Sequence, residues 1–299
     1  MSGDQLSDTK PDLPALPAGE TVAAHPALAA EVGGRTHPGR VRANNEDTFH
    51  VIRFGRHLIT TLSSLPPGRV PDEYWLTGCG IIVADGMGGH AAGEVASRAA
   101  VTGLLASALR TPDWILGRED EHLAAVEERT IRRFREVDEA VRDQARASGL
   151  WGMGTTLTLA LSLSDALLVA HVGDSPAYLF RDGRLRRLTR DHTVGQQLAD
   201  IDPEAADRLR HVLTRCIGGT AGRGSEPDVV RHRLAAGDRL LLCTDGLTDM
   251  VDDAAIAEEL GRGTSSDEVC RALVDLALAN GGKDNVTAVV ATYRSDTRA

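Results

Sequence analysis

The stretch that follows Gly154 constrains the fold most. Thr155 to Leu163, Ala166 to Val172 and Ala177 to Arg181 are aliphatic and β-branched runs too short for helices, as is Arg239 to Thr244. Asp182-Gly183 between short runs is a hairpin turn signal. Strands that follow one another through tight turns pair antiparallel. Two helical zones come first. His90 to Arg110 has small and apolar residues at helical spacing, and in Glu119 to Ala147 the residues Leu123, Val126, Ile131, Phe134, Val137 and Val141 recur every three or four positions. A third zone spans Ala254 to Asn280. The expected fold class is α+β, with stacked antiparallel sheets flanked by helices.

A chain of 299 residues can bury one large layered core, and with aromatics at only 3% that core must be built from Val, Leu, Ile and Ala. Residues 1–30, rich in Pro, Ala and Asp without an apolar period, read as a disordered leader, so the domain is expected over 31–294 with a short tail at 295–299. Residues 53–78, with Leu65-Pro66-Pro67-Gly68 and Val70-Pro71, read as an inserted loop or extended hairpin that caps a cleft or binds a partner.

Three apolar runs end in an acid beside a glycine. Ile81 to Ala84 leads into Asp85-Gly86, Leu240 to Thr244 into Asp245-Gly246, and Leu167 to Val172 into Gly173-Asp174, while Asp284 directly precedes the last strand, Val286 to Tyr293. One such case is explained by the turn preferences of Asp and Gly. Four in one layered fold crowd like charges at strand ends, where each carboxylate raises the pKa of the others unless a cation intervenes. Carboxylates with backbone carbonyls are hard donors that suit Mg²⁺ or Mn²⁺. The cysteines Cys79, Cys216, Cys243 and Cys270 form no CxxC pair, which disfavours zinc and a disulfide framework. A pair of such cations can activate water and neutralise a phosphoryl group, so phosphoester hydrolysis is the favoured chemistry. Arg42, beside Glu46 and Asp47, offers a planar fork for phosphate oxygens.

The balance of 33 Lys+Arg against 43 Asp+Glu, a net charge of −10, disfavours nonspecific binding to nucleic acid or anionic lipid. No apolar run approaches the roughly 18 residues that span a bilayer, and no signal peptide is visible, so no membrane partner and a cytoplasmic setting are expected.

The ordered set Arg42-x-x-Asn45-Glu46-Asp47, Val83-Ala84-Asp85-Gly86-Met87-Gly88-Gly89-His90 with Gly93-Glu94, Gly154-Thr155-Thr156, Gly173-Asp174-Ser175, Thr189-Arg190-Asp191-His192, Thr244-Asp245-Gly246-Leu247-Thr248-Asp249 and Lys283-Asp284-Asn285-Val286-Thr287 closely resembles the bacterial form of the metal-dependent protein phosphatases, type 2C. The resemblance runs from about Glu31 to Tyr293. It implies a four-layer α-β-β-α sandwich and hydrolysis of phosphoserine and phosphothreonine by a water activated between two Mg²⁺ or Mn²⁺ ions. By the same resemblance Asp85 bridges both ions, the Gly86 carbonyl binds one, and Asp245 and Asp284 hold the other. Glu46 and Asp47 are implied as outer acids that orient water, Arg42 as the phosphate contact, and Asp174 with Asp245 as a third cation site. Residues 191–219 correspond to the family's flap. The implied partners are phosphoproteins, including a Ser/Thr protein kinase, met by a monomeric enzyme. A catalytically silent module of the same fold is the alternative, against which the retained acids and Arg42 argue.

Three positions depart from or vary within the family pattern. Pro176 stands where many members carry Arg, which leaves the third cation open; Met87 replaces the histidine of animal enzymes; and 53–78 has no counterpart in the minimal domain. His90 is expected to cap or pack, His171 to be a satisfied core histidine, His192 to order the flap or simply a turn, and Cys216 to be unreactive.

Overall fold

The computed structural model describes residues 28–62, 64–65, 73–88, 92–110, 120–219 and 226–295; His90 and the leader before Leu28 lie outside them. In chain order the strands are β1 (Leu28–His37), β2 (Asp47–Ile59), β3 (Glu73–Met87), β4 (Gly154–Thr155), β5 (Leu157–Leu163), β6 (Ala166–Val172), β7 (Ala177–Arg181), β8 (Arg184–Arg187), β9 (Ile217–Gly218), β10 (Asp228–Arg233), β11 (Arg239–Cys243) and β12 (Val286–Ser295). The helices are α1 (Ala92–Arg110), α2 (Asp120–Ser148), α3 (Val194–Leu198), α4 (Pro203–Arg208), α5 (Asp245–Thr248), α6 (Asp253–Gly261) and α7 (Ser266–Ala279).

Every strand pairing is antiparallel. One sheet has the order β1-β12-β11-β7-β8; in the other β10-β6-β5-β3 are neighbours, β2 pairs with β3, and the short β4 and β9 extend from the end of β3. The expected turn at Asp182-Gly183 is present, with φ of 51° and 74°, the left-handed pair that a two-residue hairpin loop needs. The third helical zone is two helices rather than one. Gly261 and Gly263 interrupt it, and Ser265 opens α7 with a capping box to Glu268.

Strand parity explains why the runs are apolar without alternation. In β3, Ile81 and Val83 face the other sheet while Ile82 and Ala84 face α1 and α2; in β11, Leu240 and Leu242 face the other sheet while Leu241 and Cys243 face α5 to α7. A strand buried on both faces must be apolar at both parities. Three cores therefore separate four layers: α1 and α2, two sheets, and α5 to α7. This is the expected α-β-β-α sandwich.

Residues 53–78 fall on the β2–β3 hairpin, whose register runs from Asp47↔Asp85 to Ile59↔Glu73. At about 3.3 Å per residue its far end lies roughly 40 Å from Asp85. The described strands of the arm run away from the acid-bearing end, and residues 63 and 66–72 lie outside the described residues.

Candidate metal centre

The same parity carries the acids inward. Asp85 continues the series Ile81, Val83 and so ends the inter-sheet layer, and its cross-strand partner Asp47 continues Val51 and Phe49 on the same face. Thr287 occupies the corresponding place on β12, below Val289 and Ala291. Where the layer should continue with Val or Ile it continues with carboxylates and hydroxyls. Asp245 opens α5 directly after β11, Asp284 stands ahead of β12, and Asp174 follows β6. All of these but Asp47 and Thr287 line one cleft of about 410 Å³, together with Arg42, Glu46 and Gly86.

Asp47 is buried, and its Oδ2 accepts from Thr244 Oγ1 at 2.9 Å and Thr287 Oγ1 at 2.7 Å. Its Oδ1 is buried with no hydrogen-bond partner among the described residues. Burial, outweighing those two hydroxyls, lifts its pKa to about 7, and Asp245 and Asp284 add to the rise. Asp85 lies well above the usual carboxylate range, first by burial and then by repulsion from Asp47, Asp245, Asp174 and Asp284. Asp174 is raised by burial, Asp245 and Asp191. Each uncompensated buried charge costs several kcal/mol, about what two or three buried aliphatic side chains contribute. A partnerless carboxylate oxygen and a convergent set of repelling acids are what hard divalent cations relieve. The donor set therefore fits such ions.

The glycines beside the acids serve close packing of backbone. A Cβ on Gly86 would lie 2.1 Å from the carbonyl oxygen of Gly93, and one on Gly246 would lie 1.9 Å from that of Asn285. The approach of the protein's own backbone therefore excludes a side chain at both positions.

The cleft is held by residues that motif reading quoted without giving them a role. Asn285 donates through Nδ2 to the carbonyls of Pro38 and Asn44 and accepts from the Glu46 amide, which fixes the loop carrying Arg42 and Glu46. Arg42 donates to Asp284 Oδ2 at 2.6 Å, with over half of its side chain exposed at the mouth. Thr156 Oγ1 accepts from the Asp85 amide and bonds Ser175 Oγ, tying β3 to the turn that holds Asp174.

Residues 191–219 contain α3 and α4, closed by a bridge between Thr193 and Leu213. His192 anchors the base: Nδ1 accepts from the Gly173 amide, which leaves Nε2–H to donate to Asp228 Oδ2. His171 stacks near it at 5.0 Å, bonded through Nδ1 to Thr158, but its Nε2 has no partner among the described residues. The core histidine is thus half satisfied, and burial pushes its pKa down to about 3. Cys216 is buried with a raised pKa, as an unreactive thiol should be. His211, which nothing in the sequence marks, sits at the mouth with its ring nitrogens 3.6 Å from Asp245 and 3.5 Å from Asp249. Asp245 and Asp249 raise its pKa.

Among the described residues no helix is long and apolar enough to cross a membrane. Residues 81–286 match the family model for protein phosphatase 2C. The serine/threonine protein phosphatase PstP of Mycobacterium tuberculosis is 37% identical over 270 residues, which cover 88% of this chain and 45% of that protein. This chain thus spans about half the length of that relative. The serine/threonine phosphatase stp of Listeria innocua is 35% identical over 264 residues, covering 86% of this chain and 93% of that one. Among solved structures, the catalytic domain of PstP in complex with two manganese ions superposes with a TM-score of 0.68 at 35% identity, covering 89% and 99% of the two chains. A Streptococcus agalactiae serine/threonine phosphatase gives 0.70 at 29% identity, covering 88% and 99%. With its four layers, its acid-lined cleft and these likenesses, the chain belongs to the protein phosphatase 2C family.

Proposed function

We propose that this chain hydrolyses phosphoserine and phosphothreonine in proteins, with two Mg²⁺ or Mn²⁺ ions as cofactors. The observation that carries this reading is the end of the inter-sheet layer, where repelling carboxylates and the partnerless Asp47 Oδ1 converge below Arg42. Asp85, the Gly86 carbonyl, Asp245 and Asp284 would hold these ions, Asp85 being placed to serve both. When bound, the ions supply Lewis-acid activation of water and neutralise phosphoryl charge. Asp47 and Glu46 orient water beside them. Arg42, exposed at the mouth, meets the phosphate oxygens, and Asn285 holds the loop from which it reaches. Asp174 and Asp245 would hold a third ion, a site that Pro176, standing where many members carry Arg, leaves open.

The catalytic unit on this reading is 31–294, with 191–219 beside the cleft, and the substrates are cytoplasmic phosphoproteins including a Ser/Thr protein kinase. The test is hydrolysis of a phosphothreonine peptide and of free phosphometabolites, with Mn²⁺ and with EDTA. Peptide turnover that needs metal and disappears in Asp245→Ala is expected; full activity in that variant refutes the ligand assignment. Arg42→Ala should mainly raise KM, and an unchanged KM removes Arg42 from the substrate site.

A further inference from the structure

The inter-sheet layer meets solvent not only at its acid end but along one open side, where the edge strands β8 and β10 of the two sheets face each other. Parity decides what lies there. Arg186 and Arg184 stand opposite Leu179 and Arg181 on β7, and Leu179 belongs to the inter-sheet core, so both arginines lie on the inner face. On β10, Val229 packs toward the α1 and α2 layer, which puts Asp228, Val230 and His232 on the inner face. The two edges meet where the Arg186 guanidinium lies against both ring nitrogens of His232.

Neighbouring cations are neutralised. Arg181 is bound by Asp238, Arg231 by Glu127 and Arg233 by Asp165. Arg184 and Arg186 meet no carboxylate among the described residues, and both are exposed. In a chain of net charge −10 this is a local excess of the opposite sign. Burial first, then Arg186 and Arg181, lower the pKa of His232, as a positive surrounding requires.

We infer that this edge, with the cations Arg184 and Arg186 and the His232 ring that holds Arg186, binds an acidic segment of the phosphoprotein substrate, outside the catalytic cleft. The inference rests on the phosphatase reading. β10 leads from the cleft to the edge: Asp228, held by His192 beside Gly173 and Asp174, is four residues or about 13 Å from His232. An extended peptide with its phosphoresidue in the cleft therefore reaches the edge only with acids at least about four residues away. Adjacent acids would instead meet the carboxylates of the site.

The experiment compares phosphothreonine peptides bearing three glutamates, three glutamines or three lysines at four to seven residues on either side of the phosphothreonine. Wild type and Arg184→Glu/Arg186→Glu are assayed with Mn²⁺ at low and high salt. The glutamate peptide should show KM about tenfold below the glutamine peptide, as two exposed ion pairs allow, with the gap closing in salt. In the double variant the preference should pass to the lysine peptide, while turnover of p-nitrophenyl phosphate stays within about twofold of wild type. Charged side chains on an edge also keep it from pairing with another sheet, and that role alone would leave both proteins indifferent to peptide charge. Such indifference overturns the inference. Failure of wild type to turn over p-nitrophenyl phosphate overturns the phosphatase reading instead. Fluorescence anisotropy of the labelled glutamate and glutamine peptides then decides the edge by itself, since binding needs no turnover. Arg184→Gln/Arg186→Gln, which adds no new charge, should lose the preference without reversing it.

Discussion

The β2–β3 ladder has two unlike ends. At Asp47↔Asp85 it is pinned from every side: by hydroxyls of Thr244 and Thr287 on Asp47, by Thr156 on the Asp85 amide, and by the packing of Gly86 against Gly93. At Ile59↔Glu73 apolar side chains stand in solvent instead: Ile59 and the nearby Leu62 are 54% and 94% exposed. The hydrogen-bonded ladder is the same at both ends, so the ladder itself does not call for the extra contacts. Charge does. The end that gathers like charges needs neighbours to keep it in place.

The sharpest way to break this comparison is Asp245→Ala. Turnover of a phosphothreonine peptide should fall by about 10²–10³-fold or more, while melting in EDTA occurs no lower than for wild type, because one repelling carboxylate has gone. A large fall in melting temperature would mean that the acids stabilise the fold instead of loading it.

Acidity probes the same load. Asp47 has its pKa raised from 3.8 to about 7. A carboxylate raised on folding contributes nothing below its unfolded pKa and loses stability as pH climbs from there to its folded pKa. In EDTA the protein should therefore be more stable at pH 5.5 than at pH 7.5, by about 2 kcal/mol from this group. Asp47→Asn should remove much of that slope, and saturating Mn²⁺ should flatten it in wild type. Thermal or urea unfolding across this range makes the measurement.

Asn285→Ala tests the supports rather than the charges. With the Glu46 amide and the Pro38 and Asn44 carbonyls left without their partner, stability should drop by about 2 kcal/mol. KM should rise more than kcat falls, since Arg42 rides on that loop. At the far end the exposed Leu62, changed to Ser, should alter stability by no more than about 0.5 kcal/mol and leave kinetics alone. A larger effect there would show that the arm has a partner in the domain.

Asp85, Asp174, Asp245 and Asp284 were legible because each follows or precedes an apolar run whose type the sequence declares. Four layers were legible for the same reason, since runs apolar at both parities must be covered on both faces. The supports were not. Asn285 meets the Glu46 amide across 239 residues and Thr287 meets Asp47 across 240, and such contacts leave no local period or spacing. His211 sits in a segment without strand pattern, so nothing in its neighbours points it at Asp245. The break between α6 and α7 was visible in Gly261, Gly263 and Ser265 but was merged into one zone by the apolar period on either side.

The order β1-β12-β11 carries a consequence for how the molecule comes into being. Among the described residues β1 pairs only with β12, and β12 lies inside its sheet, between β1 and β11, although it is the last of the described strands in chain order. A nascent chain on the ribosome thus holds β1 unpaired until residues through Ser295 have emerged. Asp284, Asn285 and Thr287 arrive with that same strand. A chain that stops short of β12 can assemble neither the full sheet nor the cleft.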